Sequence, residues 1–144
     1  MYMKQRFLFT LGFVLLVSIL LTTACTSTPK KITVTFTEDQ QCTMEGATTI
    51  PANKDATLEV ISNLKEYDTV GIGIMKPDPG KTLQDYQDLP PDNDEPDWSL
   101  RVGFYEFPSD GNPHTIILNQ ADGPIYFFCI TPEWRWAVGP IEIK

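Results

Sequence analysis

Within YFFCITPEWRWAVG, residues 126–139, one cysteine lies inside an aromatic run and is followed by Trp134, Arg135 and Trp136. Three chemistries are open to Cys129: a thiolate ligand for a soft metal, half of a disulfide, or an inert buried side chain. Few residues could join it. The chain has three cysteines, four methionines and a single histidine, His114. The two tryptophans flanking Arg135 could stack on a flat or sugar-like ligand, or could equally be packing anchors. Alternation puts the tryptophans on one side and Arg135 on the other. Carboxylates are dense only in Pro77–Trp98, which holds seven acidic residues, one lysine and five of the twelve prolines. Its DNDEPDW end offers oxygens of the kind calcium takes, but it lacks the glycine and the spaced glutamate of an EF-hand loop and reads as a solvated acidic loop. There is no G-x-S-x-G, no H-E-x-x-H and no phosphate-cradling glycine loop, and one histidine leaves little room for a Ser-His-Asp set. An enzyme is not expected.

The elements that must carry these residues show period-two alternation and little of helical period. Strands are predicted at Lys31–Thr37, Thr57–Ser62, Thr69–Met75, Leu100–Phe107, His114–Asn119, Pro124–Ile130 and Ala137–Lys144, separated by Pro, Gly, Asn and Asp clusters. Seven short strands in one chain predict an all-β sandwich. Gly71 and Gly73 alternate with Val70, Ile72 and Ile74, leaving one face bare, so something bulky should pack there. Inside the acidic segment, Thr82 and Asp85 form a capping-box-like pair, and Leu83, Tyr86 and Leu89 make an apolar stripe. They predict a helix of two turns, stopped at Pro90-Pro91.

The first residues settle an expected compartment. Lys4 and Arg6 precede the apolar run Phe7–Leu21, which is too short for an ordinary bilayer span and ends in TTAC, Thr22–Cys25. Leu21–Cys25 resembles a bacterial lipobox, with Thr22 where leucine is usual. The resemblance implies cleavage after residue 24 and acylation of Cys25, with residues 25–30 as a short tether and 31–144 as the domain. Residues 1–24 hold two basic and no acidic residues. Against totals of 11 and 19, the remaining chain therefore carries nine basic and nineteen acidic side chains. A net charge of −10 argues against nucleic acid and against electrostatic adhesion to anionic headgroups. The membrane partner is then engaged through the lipid, on the extracytoplasmic side of the cell envelope.

TIPANKDATLEVISN (49–63), GPIYFFCITP (123–132) and the last strand VGPIEIK resemble a cupredoxin-like domain spanning about residues 31–144. That family implies a Greek-key β-sandwich with one cysteine on a late aromatic strand. Its copper-binding members add two histidines and an axial methionine. Here the corresponding places hold LKEYDTV after Asn63, then Pro132 and Glu133, then Val138. Only the cysteine remains, so no cofactor is expected. An atypical copper site of Cys129, Met44 or Met75 and His114, serving electron transfer or copper delivery, is the alternative. With Cys25 acylated, Cys42 and Cys129 are an even pair in an oxidising compartment, where a disulfide is the simplest expectation. The resulting reading is a metal-free interaction module at the cell surface for a protein or small-molecule ligand, with Trp134, Arg135 and Trp136 as candidate contacts.

Overall fold

A computed structural model describes residues 29–90, 93 and 95–144. The export-like segment and Cys25 lie outside the described residues, as do Pro91, Asp92 and Asp94 of the acidic loop. The described chain is an all-β sandwich with one short helix. Its strands are β1 (Lys30–Thr37), β2 (Gln41–Gly46), β3 (Thr49–Ile50), β4 (Ala56–Ser62), β5 (Thr69–Pro77), β6 (Ser99–Pro108), β7 (Pro113–Leu118), β8 (Ile125–Ile130) and β9 (Arg135–Ile143), with helix α1 (Leu83–Gln87) between β5 and β6. One sheet runs β2-β1-β4-β7 and the other β3-β9-β8-β5-β6. The chain crosses repeatedly between them, so β1 meets β4 in parallel, and β3 meets β9 in parallel, while the other pairs are antiparallel.

All seven predicted strands form, with ends shifted by two residues at most. In β1, Ile32, Val34 and Phe36 point inward while the threonines between them are half-buried, as a one-sided strand requires. β2 and β3 are additional. QCTMEG is short and mostly polar, with only Cys42 and Met44 alternating toward the core; β2 forms because its backbone pairs with β1 from Ile32–Gly46 to Thr37–Gln41.

The five-stranded sheet departs from simple alternation. Five successive residues of β8, Ile125–Cys129, are buried, and six of β5, Val70–Met75, are buried as well. A strand buried on both faces reads as a continuous apolar run, and both faces are indeed covered. Ile72, Ile74, Ile125, Phe127 and Cys129 face the four-stranded sheet in the main core. Met75, Tyr126, Phe128 and Ala137 face outward into a second cluster closed by Tyr86 of α1, with Leu83, Leu89 and Trp98 around it. The bare stripe over Gly71 is filled as expected. A Cβ there would meet the Phe104 ring at 3.0 Å and Ile130 at 3.5 Å, close packing that only glycine allows without movement.

The helical part of the acidic segment is therefore anchored on the sheet through its apolar stripe. Its helix starts at Thr82, whose N–H and hydroxyl lie 2.8 and 2.9 Å from the Asp85 carboxylate. These hydrogen bonds hold the Asp85 carboxyl below its ordinary value, the Thr82 backbone contributing most. Pro96 is buried, and Trp98 stacks obliquely on Tyr86 at 4.7 Å with Lys81 above its ring.

Candidate ligand-binding cleft

Cys129 is bonded to Cys42, Sγ to Sγ at 2.03 Å, with Cα atoms 6.4 Å apart. The bridge joins β8 of one sheet to β2 of the other, and both cysteines are buried in the main core. The remaining soft-metal candidates are not gathered around it. Met75 is buried on the outer face of the five-stranded sheet, Met44 is half-buried on the inner side, and His114 sits on β7, where its Nε2 is 3.0 Å from Asp110. Among the described residues no three His, Cys, Asp or Glu side chains are placed to hold a metal ion.

Immediately beyond Cys129 the chain turns from β8 into β9, and Thr131 builds that turn. Its hydroxyl oxygen accepts from the Trp134 N–H at 3.0 Å and the Glu133 N–H at 3.3 Å, while its own N–H donates to the Trp134 carbonyl at 2.9 Å. A side-chain oxygen that stands in for backbone acceptors fixes such a turn, and Thr131 is nearly buried while doing so. Thr131→Val keeps the shape but leaves both N–H groups without this acceptor. It should lower stability by about 1–3 kcal/mol, measured by denaturant unfolding.

The turn disposes Trp134, Arg135 and Trp136 on two sides. Trp134 and Trp136 pack against the main core, with the Trp134 ring 6.0 Å from Phe36. They plug the end of the sandwich next to the disulfide, Trp136 lying opposite Cys129 in the β8–β9 ladder. Arg135 reaches the other way and donates to the Pro90 carbonyl just past α1.

Between the turn and α1 lies an open cleft of about 400 Å³. Phe128, Ile130 and Ala137 form its floor, Tyr86, Gln87 and Leu89 one bank, and residues 131–136 the other. The sequence alone points to Trp134–Trp136 but not to the helical bank, because the two banks are more than forty residues apart in the chain. The available signal is the Leu83-Tyr86-Leu89 stripe, which needs an apolar surface to dock on. The cleft carries few titratable groups. Burial raises the Tyr86 phenol to about 12, against a lowering contribution from its 2.6 Å hydrogen bond with Ser99. Tyr67, next to the turn, is raised first by burial and then by its hydrogen bond with Glu133. Among the described residues that line the cleft, no nucleophile has an adjacent base; Gln87, Thr131, Glu133 and Arg135 offer groups that can hydrogen-bond a ligand.

At the same end of the sandwich, Asp110 accepts from the Asn112 N–H at 2.9 Å and pairs with His114. Asn112, through side chain and backbone, and then His114 bring the Asp110 carboxyl down to about 2. Because the folded value is depressed, the stabilisation is present above the ordinary carboxyl range and is lost as pH falls from about 4 through about 2. Asp110→Asn should therefore be less stable than the parent at pH 5, and the difference should shrink by pH 2.5. Urea midpoints at both values test this.

Compared with known proteins, the chain matches no family model, no curated protein and no solved structure. Among the described residues no helix is long and apolar enough to cross a membrane.

Proposed function

We propose that the protein is a lipid-anchored, extracytoplasmic binding module, a metal-free cupredoxin-like sandwich that engages a protein or small-molecule ligand at the cleft between α1 and the β8–β9 turn. The observation that carries the reading is the cleft itself: a concave site with Ile130 at its base and mostly polar surface on its banks can hold a ligand by an apolar contact and several hydrogen bonds. A buried disulfide supports an oxidising compartment. The direction of the strands supports the anchoring geometry. β1 begins at Lys30, the last residue of the expected tether, and Ala47 and Thr48 link that end of the molecule to the end of β9. The β8–β9 turn lies at the other end, roughly 20 Å away at the rise of a six-residue strand. A domain tethered at Cys25 would thus present its cleft away from the bilayer.

The test is to express the full chain in bacteria with its own leader and take the intact mass of the membrane-fraction protein, with thiols and metals counted on the same sample. The expected species starts at an acylated Cys25, has no free thiol, and moves to the soluble fraction in Cys25→Ser. Two free thiols with one stoichiometric copper would overturn the reading in favour of a copper protein. Tryptophan fluorescence against a panel of small ligands then tests the cleft, with Ile130→Ser expected to abolish any response the parent gives.

A further inference from the structure

Resting on that reading, we infer that the cleft is a docking groove for a cationic segment of a partner protein, a stretch with an apolar side chain flanked by lysine or arginine. The single apolar side chain of the ligand is set by the half-buried Ile130, which lies over the buried Phe128 and Ala137. The ligand's charge is set by what surrounds the groove. Four loops meet at this end of the sandwich. Ser109 donates through its N–H to the Asp68 carbonyl at 3.0 Å and through its hydroxyl to the Leu64 carbonyl at 2.9 Å, Gly111 donates to the Ser62 carbonyl at 2.8 Å, and Tyr67 lies near enough to Glu133 for that carboxylate to raise its phenol. Phe36 against Trp134 brings the β1–β2 turn to the same place.

These loops expose Glu38, Asp39, Glu66, Asp68, Asp110 and Glu133. Their cations are Lys65 and Arg135, and the Arg135 guanidinium is engaged with the Pro90 carbonyl. Six of the seven lysines among the described residues lie instead toward the tether end: Lys30, Lys31, Lys54, Lys76, Lys81 and Lys144. The lysine-rich end holds its own carboxylates, including the Lys31–Glu59 and Lys76–Asp122 pairs, so its field is largely cancelled. Among the described residues Glu38, Asp39, Glu66, Asp68 and Glu133 make no ion pair, and the negative potential at the cleft end is left open. Such a field concentrates cations, repels phosphates and carboxylates, and favours a cationic partner approaching from outside the envelope.

The experiment is fluorescence anisotropy on the full-length protein in neutral detergent. It uses two labelled decapeptides that share a central Leu-Trp-Leu and differ in carrying four lysines or four glutamates. The lysine peptide should bind, and its affinity should fall about tenfold between roughly 50 and 300 mM salt. It should fall about tenfold in the Glu66→Gln/Glu133→Gln variant and be lost in Ile130→Ser, but remain within about twofold in Asp55→Asn/Glu142→Gln, which changes the charge equally at the other end. Unfolding midpoints confirm that each variant is folded. Unchanged binding in the first variant, equal weakening in the second, or no binding of the lysine peptide overturns the inference. Binding of the glutamate peptide through the Arg135 bank also overturns it, while leaving the cleft as a ligand site; loss of any cleft response in the fluorescence panel would instead overturn the reading on which it rests.

Discussion

Replacing Cys42 and Cys129 together by alanine should lower the unfolding free energy by about 4 to 5 kcal/mol. The bridge closes a span of 87 residues, and the loop-closure entropy removed from the unfolded chain by a crosslink of that span has this size. Against a total stability of about 5–15 kcal/mol for a domain, the change would leave the protein near its folding limit. Guanidinium unfolding of the oxidised parent, the reduced parent and the double variant checks it. If chain entropy is the main cause, the reduced parent and the variant should have similar midpoints. A variant weaker than the reduced parent would measure the space left at two core positions that are 4% and 0% exposed. A double variant within 1 kcal/mol of the oxidised parent would sink the prediction and show that packing alone holds the sheets together. The bridge also stands next to the site: Cys129 pairs with Trp136, and the turn built by Thr131 begins two residues after the cysteine. Loss of the crosslink should loosen that bank of the cleft before it unfolds the sandwich.

Much of this was readable from the chain, for physical reasons that differ element by element. Val34, Phe36 and Val60 belong to strands with one wet or thinly covered face, so burial leaves a period-two imprint, while in β5 the alternation of Val70, Ile72 and Ile74 with Gly71 and Gly73 is one of side-chain size on a strand buried on both faces. Cys42 and Cys129 could be paired from the count of cysteines and an expected oxidising compartment, whereas their geometry needed β2, whose QCTMEG carries only a two-residue signal, Cys42 and Met44. The helix at Leu83–Gln87 followed from its cap and stripe, although it ends before Leu89, with the Asp88 N–H donating back to the Gln84 carbonyl. In the DNDEPDW end the described carboxylates Glu95 and Asp97 are exposed, while Pro96 and Trp98 between and after them are drawn onto the sheet, a contact that acidic and proline-rich composition does not show. The cleft was half legible. Trp134, Arg135 and Trp136 marked one bank, but two of the three face the core, and the opposite bank comes from a helix joined to it only through tertiary packing.

That packing is concentrated in one side chain. Tyr86→Ala should cost about 3–5 kcal/mol, the range for removing a large buried aromatic. Tyr86 is 3% exposed, and its ring lies 4.7 Å from Trp98, 5.0 Å from Tyr126 and 4.9 Å from Phe128. A helix of five residues has no stability of its own, so α1 exists in this place because Tyr86 docks it. The loss should therefore be partly local: amide exchange should accelerate over 78–89 while β1, β4 and β8 stay protected, and the binding proposed for the cleft should weaken with its helical bank. Tyr86→Phe separates the ring from the hydroxyl and should cost only about 0.5–1.5 kcal/mol through the lost hydrogen bond to Ser99. The phenol adds an alkaline signature. Its folded value is raised to about 12 from an ordinary 10, so its stabilising contribution is complete below pH 10 and is lost as pH climbs through 12. The parent should lose α1 docking over that interval, and Tyr86→Phe should lose less of it. If Tyr86→Ala keeps the slow exchange of Leu83–Leu89, then Leu83, Leu89 and Trp98 hold the helix without it, and the cleft rests on a broader base than a single ring.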